Sequence, residues 1–121
     1  MTNLFNNLNF QQQEAVKEIE KPLLIIAGAG SGKTLTVASK IAYLIEQGVK
    51  PDSILALAFN EKAAEELKER VLGMVVNAED LCISTFHSFC NQFIYDNILS
   101  TKLNANFRVI TETAQLVYLT R

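Results

Sequence analysis

The chain has 121 residues, a formal net charge of −2 and 49% hydrophobic residues, which predicts one small globular domain. Its balanced charge excludes a generally basic protein that coats nucleic acid, so any nucleic-acid site must be a local groove. The apolar runs are too short to span a bilayer, and the N-terminus lacks the features of a signal peptide. We therefore expect a cytoplasmic protein without a membrane partner.

The first predicted element is a helix in residues 8–16 (LNFQQQEAV), with Asn9 as its N-cap. Its inward face would carry Gln12, Ala15, Val16 and Ile19. Two interpretations of Gln12 compete. Its amide can bond back to the cap N–H in a capping box, which is the better interpretation of Gln12 taken alone. It can also bond the N6/N7 edge of adenine, which the motif in the next segment makes the better one.

Residues 23–27 (LLIIA) predict a short strand that is buried on both faces. The next residues, 27–34 (AGAGSGKT), fit the phosphate-loop pattern GxxxxGK[ST], with Ala27 in place of the first glycine. Glycines can adopt positive φ, so backbone N–H groups can surround an anion at the N-terminus of the following helix. The alternative is an ordinary glycine-rich turn, but a strand before the loop and a helix after it favour the phosphate site.

This loop predicts a site for ATP and Mg²⁺. Lys33 would contact the β- and γ-phosphates, and the Thr34 hydroxyl would be the metal ligand. Both are the candidate catalytic residues. The full predicted nucleotide-binding set is Gln12, Ala27, Gly28, Ala29, Gly30, Ser31, Gly32, Lys33 and Thr34.

The remaining elements alternate between helix and strand. Helices are predicted for residues 34–47 (ending at Gly48), 61–71, 86–98 and from 112 onward, and strands for 54–59, 81–85 and 107–111. Cys82 and Cys90 have apolar neighbours, which predicts two reduced core cysteines. Buried strands that alternate with helices predict an α/β fold, with a parallel sheet covered by helices on both faces.

Four blocks together resemble a known family: residues 8–16, 23–34, 54–67 (ILALAFNEKAAEEL) and 83–89 (ISTFHSF). They closely resemble the N-terminal motor domain of the UvrD/Rep/PcrA-type superfamily 1 DNA helicases, as its Q motif, Walker A motif and motifs Ia and Ib. The resemblance implies a RecA-like P-loop NTPase that hydrolyses ATP, moves 3′-to-5′ along single-stranded DNA and unwinds DNA in repair. Residues 1–121 would be the N-terminal part of that motor domain.

By position, the resemblance implies DNA contacts for Phe59, Asn60, Lys62, Thr85, Phe86, His87 and Ser88. From the residues alone, Phe59 could instead be core and His87 could pack on the polar side of its helix. The phenylalanines at positions 86, 89 and 93 lie at helical spacing and predict mostly core packing. The chain departs from the family at Leu35, where many members have arginine, and at Ala58, Asn60 and Glu61. Glu61 adds a negative charge beside the expected DNA path.

The family's acidic block and the arginines of its second motor domain would lie beyond residue 121. We therefore expect a chain that is truncated before Walker B, inactive alone, in need of the remaining helicase chain, and prone to self-association through an exposed strand edge. Two alternatives stay open. A non-motor nucleotide- or DNA-binding remnant fits the same blocks. A small-molecule kinase or other phosphate-loop enzyme explains residues 27–34 but leaves LNFQQQEAV and TFHSF without a role.

Overall fold

A computed structural model of the protein describes residues 4–110 and 112–119. The chain divides into two compact units, Met1–Thr85 and Phe86–Arg121. No helix in the described part of the chain is both long and apolar enough to cross a membrane. The helices and strands are α1 (Phe10–Lys17), α2 (Lys33–Glu46), β1 (Leu55–Ala58), α3 (Glu61–Leu72), β2 (Cys82–Thr85), α4 (Phe86–Asp96) and α5 (Glu112–Leu119), with 3₁₀ turns at Pro51–Ser53 and Ile98–Ser100.

Helix α1 begins where the sequence predicts, because Asn9 caps it. The Asn9 side chain accepts a hydrogen bond from the Gln12 N–H at 2.9 Å, and the Gln12 side chain accepts one from the Asn9 N–H at 2.9 Å. This is the predicted capping box. The helix ends at Lys17, with Glu18 as its C-cap, so the predicted inward face is too long by one turn. Val16 is buried, whereas Ile19 lies beyond the helix and is exposed.

The core of the first unit lies between α2, α3 and the sheet. Small and branched apolar side chains at helical spacing bring the two helices together. The buried cluster consists of Ala38 and Ile41 from α2, Leu67 and Val71 from α3, and Ala78 and Leu81 before β2. The opposite face of α3 is exposed to solvent, and it carries an (i, i+4) ion pair in which Arg70 Nη2 lies 3.1 Å from Glu66 Oε1.

Strands β1 and β2 form a two-stranded parallel sheet, joined by the crossover helix α3. This confirms the predicted β–α–β unit of an α/β fold. Ala56 and Ile83 pack against the buried cluster, but Leu55 and Leu57 on the other face are exposed. In the described structure of this unit, helices therefore cover one face of the sheet rather than both. The core prediction for the cysteines is wrong, because Cys82 lies exposed at the start of β2 and Cys90 is half-buried.

The strand predicted at residues 23–27 is not formed. The segment is neither helix nor strand, and Leu24 and Ile26 are 82% and 89% exposed. A strand exists only where a neighbour completes its backbone hydrogen bonds, and the described ladder joins β1 to β2 alone. An apolar run cannot reveal whether that neighbour is present. The strand predicted at residues 107–111 is likewise absent at 107–110, while residue 111 lies outside the described residues.

The second unit contains α4, the 3₁₀ turn and α5. The rings of Phe89 and Phe93 lie 6.1 Å apart on one side of α4, as helical spacing predicts. The core prediction is wrong for this row, however. Phe86 and Phe93 are exposed and Phe89 is only half-buried, since the described residues of α4 include no buried side chain.

Candidate functional site

The loop between residues 27 and 32 has the backbone that the phosphate-loop pattern predicts. Gly30 and Gly32 have φ angles of +75° and +80°, in the region that favours glycine, whereas Gly28 is not among the positive-φ residues. Gly32 is the N-cap of α2 and makes no side-chain cap hydrogen bond. The N–H groups of the first turn of α2 are thus left to another acceptor, which is the local requirement of an anion site.

The Lys33 side chain makes hydrogen bonds to the start of this loop. Its Nζ donates hydrogen bonds to the carbonyl oxygens of Ala27 at 3.0 Å and of Gly28 at 3.3 Å. The Ser31 hydroxyl donates to the same Gly28 oxygen at 2.6 Å. The ammonium therefore lies at the mouth of the loop and is exposed, but it contacts carbonyl dipoles. A bound phosphate would have to take the place of these oxygens.

Gln12 joins α1 to the phosphate loop. While its Oε1 accepts from the Asn9 N–H, its Nε2 donates to the Ser31 carbonyl oxygen at 3.0 Å. The capping-box interpretation of Gln12 is thus correct, and the side chain also lies against the loop, as the adenine interpretation requires. A Cβ atom on Gly32 would lie 2.9 Å from Gln12 Nε2, so glycine at position 32 allows this close approach.

A cleft of about 170 Å³ lies between α1 and the loop. Gln12, Ser31 and Lys33 are among its polar lining residues, and Ile25 and Ile26 contribute an apolar wall. Pockets that enclose a whole small-molecule ligand measure roughly 300–1,000 Å³. The described cleft is therefore large enough for one part of a nucleotide.

Thr34 is the second residue of α2 and is exposed. It presents one hard oxygen beside the loop, and the described residues contain no group of three or more His, Cys, Asp or Glu that could hold a metal ion. A single protein ligand suits Mg²⁺ bound to a nucleotide, because this ion takes its other ligands from phosphate oxygens and water. The residues present therefore fit a metal that arrives with the triphosphate.

The half-buried side chain of Lys40 makes a contact that the sequence pattern did not predict. From α2, its Nζ donates to the carbonyl oxygen of Ala15 at 2.9 Å and to that of Glu18. Burial lowers the pKa of Lys40 below its ordinary value, and the attraction of Glu18 opposes that shift. A signal for this contact existed in the sequence, since Lys40 interrupts the inward face of α2 between Ser39 and Ile41, both of which are buried.

The candidate DNA residues of the first unit have different environments. Phe59 is 99% exposed, so the core alternative for it is wrong. Lys62 is exposed as well. Asn60 is the N-cap of α3, and its Oδ1 accepts from the Ala63 N–H at 2.8 Å. The Thr85 hydroxyl is buried and donates to Glu61 Oε1 at 3.2 Å. Glu61, one of the departures from the family, therefore binds a candidate DNA residue.

The other three candidates, Phe86, His87 and Ser88, belong to the second unit. They form the first turn of α4, and all three are exposed. The rings of Phe86 and His87 meet edge to face, with centroids 6.4 Å apart. His87 is the second residue of α4, so it lies at a helix N-terminus, where an anion is favourable.

A protein-family model and several similar relatives indicate the same family, that of the UvrD/REP helicases. The family model of the UvrD/REP helicase N-terminal domain matches residues 8–121. The ATP-dependent DNA helicase PcrA of Staphylococcus aureus strain Mu50 is 46% identical over 117 residues, which is 95% of this chain and 16% of the relative. PcrA of Bacillus subtilis strain 168 is 47% identical over 115 residues, or 93% of this chain and 16% of the relative.

A probable DNA helicase II homolog of Mycoplasma capricolum is 54% identical over 94 residues, covering 76% of this chain and 13% of the relative. The chain thus spans 16%, or about one sixth, of the length of the PcrA relatives that it matches. Residues 8–121, which the family model matches, include Gln12, the phosphate loop and Lys40.

Proposed function

Because this chain belongs to the UvrD/REP helicase family, we propose that it is the ATP-binding N-terminal part of an ATP-dependent DNA helicase motor. The observation that carries the proposal is the hydrogen bond from Gln12 to the phosphate loop. It places a primary amide and the Lys33 ammonium at one cleft with an apolar wall. Adenine needs the amide and the apolar wall, and a triphosphate needs the ammonium and the loop N–H groups.

In this proposal each group has one task. The Gln12 amide binds the adenine edge, giving up its bonds to Ser31 and to the helix cap. Lys33 exchanges the carbonyl oxygens of Ala27 and Gly28 for phosphate oxygens, while the N-terminus of α2 supports the same negative charge. Thr34 would hold Mg²⁺ together with the phosphates, and the metal would neutralise charge during phosphoryl transfer.

Single-stranded DNA is the proposed second ligand, with 3′-to-5′ movement along it as the proposed work of the complete motor. The PcrA relatives are named as ATP-dependent DNA helicases, which supports this assignment. Phe59 is the strongest candidate contact, since an exposed aromatic ring can stack on any base. Lys62 would add a phosphate contact. Asn60 and Thr85 have bonds inside the protein and are weaker candidates.

Replacing Gln12 with alanine tests the adenine assignment. We expect the wild-type chain to prefer ATP over GTP, and Gln12→Ala to reduce that preference about tenfold, since a bidentate amide–base contact is worth ~1–3 kcal/mol. Calorimetric titration with both nucleotides measures the ratio. Asn9→Ala is the matched control, because it removes the helix cap, costing about 1 kcal/mol of stability, but leaves the amide in place. If Gln12→Ala lowered stability and left selectivity unchanged, Gln12 would be a capping residue only.

Replacing Phe59 with alanine tests the DNA assignment. We expect a loss of affinity for single-stranded DNA of ~1–3 kcal/mol, measured by fluorescence anisotropy with a labelled oligonucleotide. The free energy of unfolding should not change, because Phe59 is 99% exposed and its removal opens no cavity. Val76→Ala, at another exposed apolar side chain, is the control and should leave DNA affinity unaltered. Equal affinity in both variants would favour a nucleotide-binding module without this DNA contact.

A further inference from the structure

Helix α1 has two hydrogen-bonded attachments, one near each end. It is only eight residues long, and a helix of this length is marginal on its own. At its N-terminal end Gln12 Nε2 donates to the Ser31 carbonyl oxygen of the phosphate loop. At its C-terminal end Lys40 Nζ donates to the carbonyl oxygens of Ala15 and Glu18. The position of Gln12 therefore depends on what holds the far end of the helix.

We propose that Lys40 is a positioning residue for Gln12. Its ammonium fastens the C-terminal carbonyl groups of α1 to α2 and so fixes where the Gln12 amide lies at the phosphate loop. The consequence for base selectivity rests on the proposed function, in which this amide binds adenine. The position of the amide in the nucleotide-free protein does not depend on that function and can be measured separately.

The geometry of the two helices supports this role. Lys33 and Lys40 lie two turns apart on α2, about 10 Å along one rigid helix. Gln12 and Ala15 lie one turn apart on α1, so they share a face. The Ser31 carbonyl oxygen lies just before the N-cap of α2, and Lys40 lies on α2 itself. Helix α1 is thus bonded at two points to one continuous segment of the chain. Completely buried Val16 lies beside these attachments and keeps α1 packed against α2.

The chemistry of the contact also favours a positioning role over a simple charge pair. The last carbonyl groups of a helix lack intrahelical partners and form the negative end of the helix dipole, where an ammonium is favourable. The Glu18 carboxylate instead accepts from the N–H groups of Glu20 and Lys21, both at 3.2 Å. Lys40 is therefore bound to backbone carbonyls, whose place defines the end of α1.

The test compares Lys40→Met, which keeps the length of the side chain and removes its donors, with Lys40→Arg, which keeps charge and donors. Binding of ATP, GTP and inorganic tripolyphosphate is titrated calorimetrically. We expect Lys40→Met to lower the ATP-over-GTP preference about tenfold, as Gln12→Ala does, while tripolyphosphate affinity changes less than twofold. Lys40→Arg should restore most of the preference. Lys68→Met, an exposed lysine on α3, is the matched control and should change neither ratio.

Two further measurements make the result decisive. In the double variant with Gln12→Ala, Lys40→Met should cause no additional loss of selectivity. In the nucleotide-free chain, the ¹⁵N-resolved side-chain amide signal of Gln12 should shift in Lys40→Met and remain unshifted in Lys68→Met. If Lys40→Met does not fold, Lys40→Leu, which also lacks a donor group, takes its place with the same expectations.

The outcomes separate the two proposals. Unchanged selectivity together with an unshifted Gln12 signal would overturn the positioning role. A wild-type chain that binds ATP and GTP equally would overturn the adenine assignment, and the Gln12 signal would then decide the positioning role alone. An equal loss of tripolyphosphate and ATP affinity in Lys40→Met would mean general damage to the loop, which also contradicts the proposal.

Discussion

Replacing Lys33 with alanine is expected to abolish measurable ATP binding to this chain, with a loss of affinity of about 100-fold. The reason is that Lys33 supplies the one point charge at the mouth of the described cleft, where its Nζ lies between the carbonyl oxygens of Ala27 and Gly28. Hydrogen bonds to charged groups are worth about 1.5–3 kcal/mol, and each 1.4 kcal/mol changes affinity about tenfold. Isothermal titration calorimetry with ATP measures the loss.

The control for Lys33→Ala is Lys50→Ala, which removes the same charge from an exposed position beyond α2 and should leave affinity unaltered. Unfolding by denaturant should give nearly the same free energy for both variants, because the Lys33 bonds are made at an exposed site. Equal ATP affinity in Lys33→Ala and the wild type would mean that this loop does not bind phosphate. The chain would then be left with a glycine-rich turn, the alternative that the sequence allows.

The backbone of the glycine loop and the capping box of Gln12 could be predicted from the sequence because their information is local. Positive φ at Gly30 and Gly32 and the capping box of Gln12 involve residues that are close in the chain. Such constraints restrict the residue type at each position directly. The helices follow for the same reason, since their apolar residues recur at helical spacing, and α1 and α3 also have side-chain caps at Asn9 and Asn60.

The failed predictions depend on partners that are distant in the chain. Residues 23–27 have the composition of a buried strand, but a strand needs a neighbour that its own sequence cannot specify. Lys40 and Ala15 are 25 residues apart, and no local pattern links a lysine to a backbone carbonyl on another helix. Self-association stays a prediction. The exposed side chains of Leu24 and Ile26 are consistent with it, and sedimentation at several concentrations can test it.

Glu61 connects a departure in sequence to a change in the site. Its carboxylate accepts a hydrogen bond from the buried hydroxyl of Thr85, so one of its oxygen atoms is bound within the protein. Asn60, beside it, caps α3. Two of the residues that the resemblance places against DNA thus have structural roles in this chain, which is why we assign the strongest DNA contact to exposed Phe59 rather than to the whole block.

Alanine substitutions at the three loop glycines should lower the free energy of unfolding by different amounts, because the three positions differ in φ angle and in their distance from Gln12. The series therefore separates backbone strain from contact with Gln12. Gly28 has no positive φ and open space around it, so Gly28→Ala should leave the free energy of unfolding unchanged. Gly30→Ala meets open space but has a φ of +75°, so it should cost about 1–2 kcal/mol in loop strain. Gly32→Ala has a φ of +80° and places its Cβ 2.9 Å from Gln12 Nε2.

For Gly32→Ala we therefore expect the largest loss, about 2–3 kcal/mol, as the strain adds to one broken hydrogen bond. The Gln12 side chain is flexible at its end and can move away from the new methyl group, but only by leaving the Ser31 carbonyl oxygen. The preference for ATP over GTP should fall in Gly32→Ala, because the new methyl group displaces the Gln12 amide from its place beside the loop. It should persist in Gly30→Ala, although both variants weaken ATP binding. Nucleotide titrations of the two variants measure this difference. If both variants lost the same stability and kept the same base preference, the close approach of Gln12 to Gly32 would have no role in binding, and loop strain alone would explain why glycine is present at both positions.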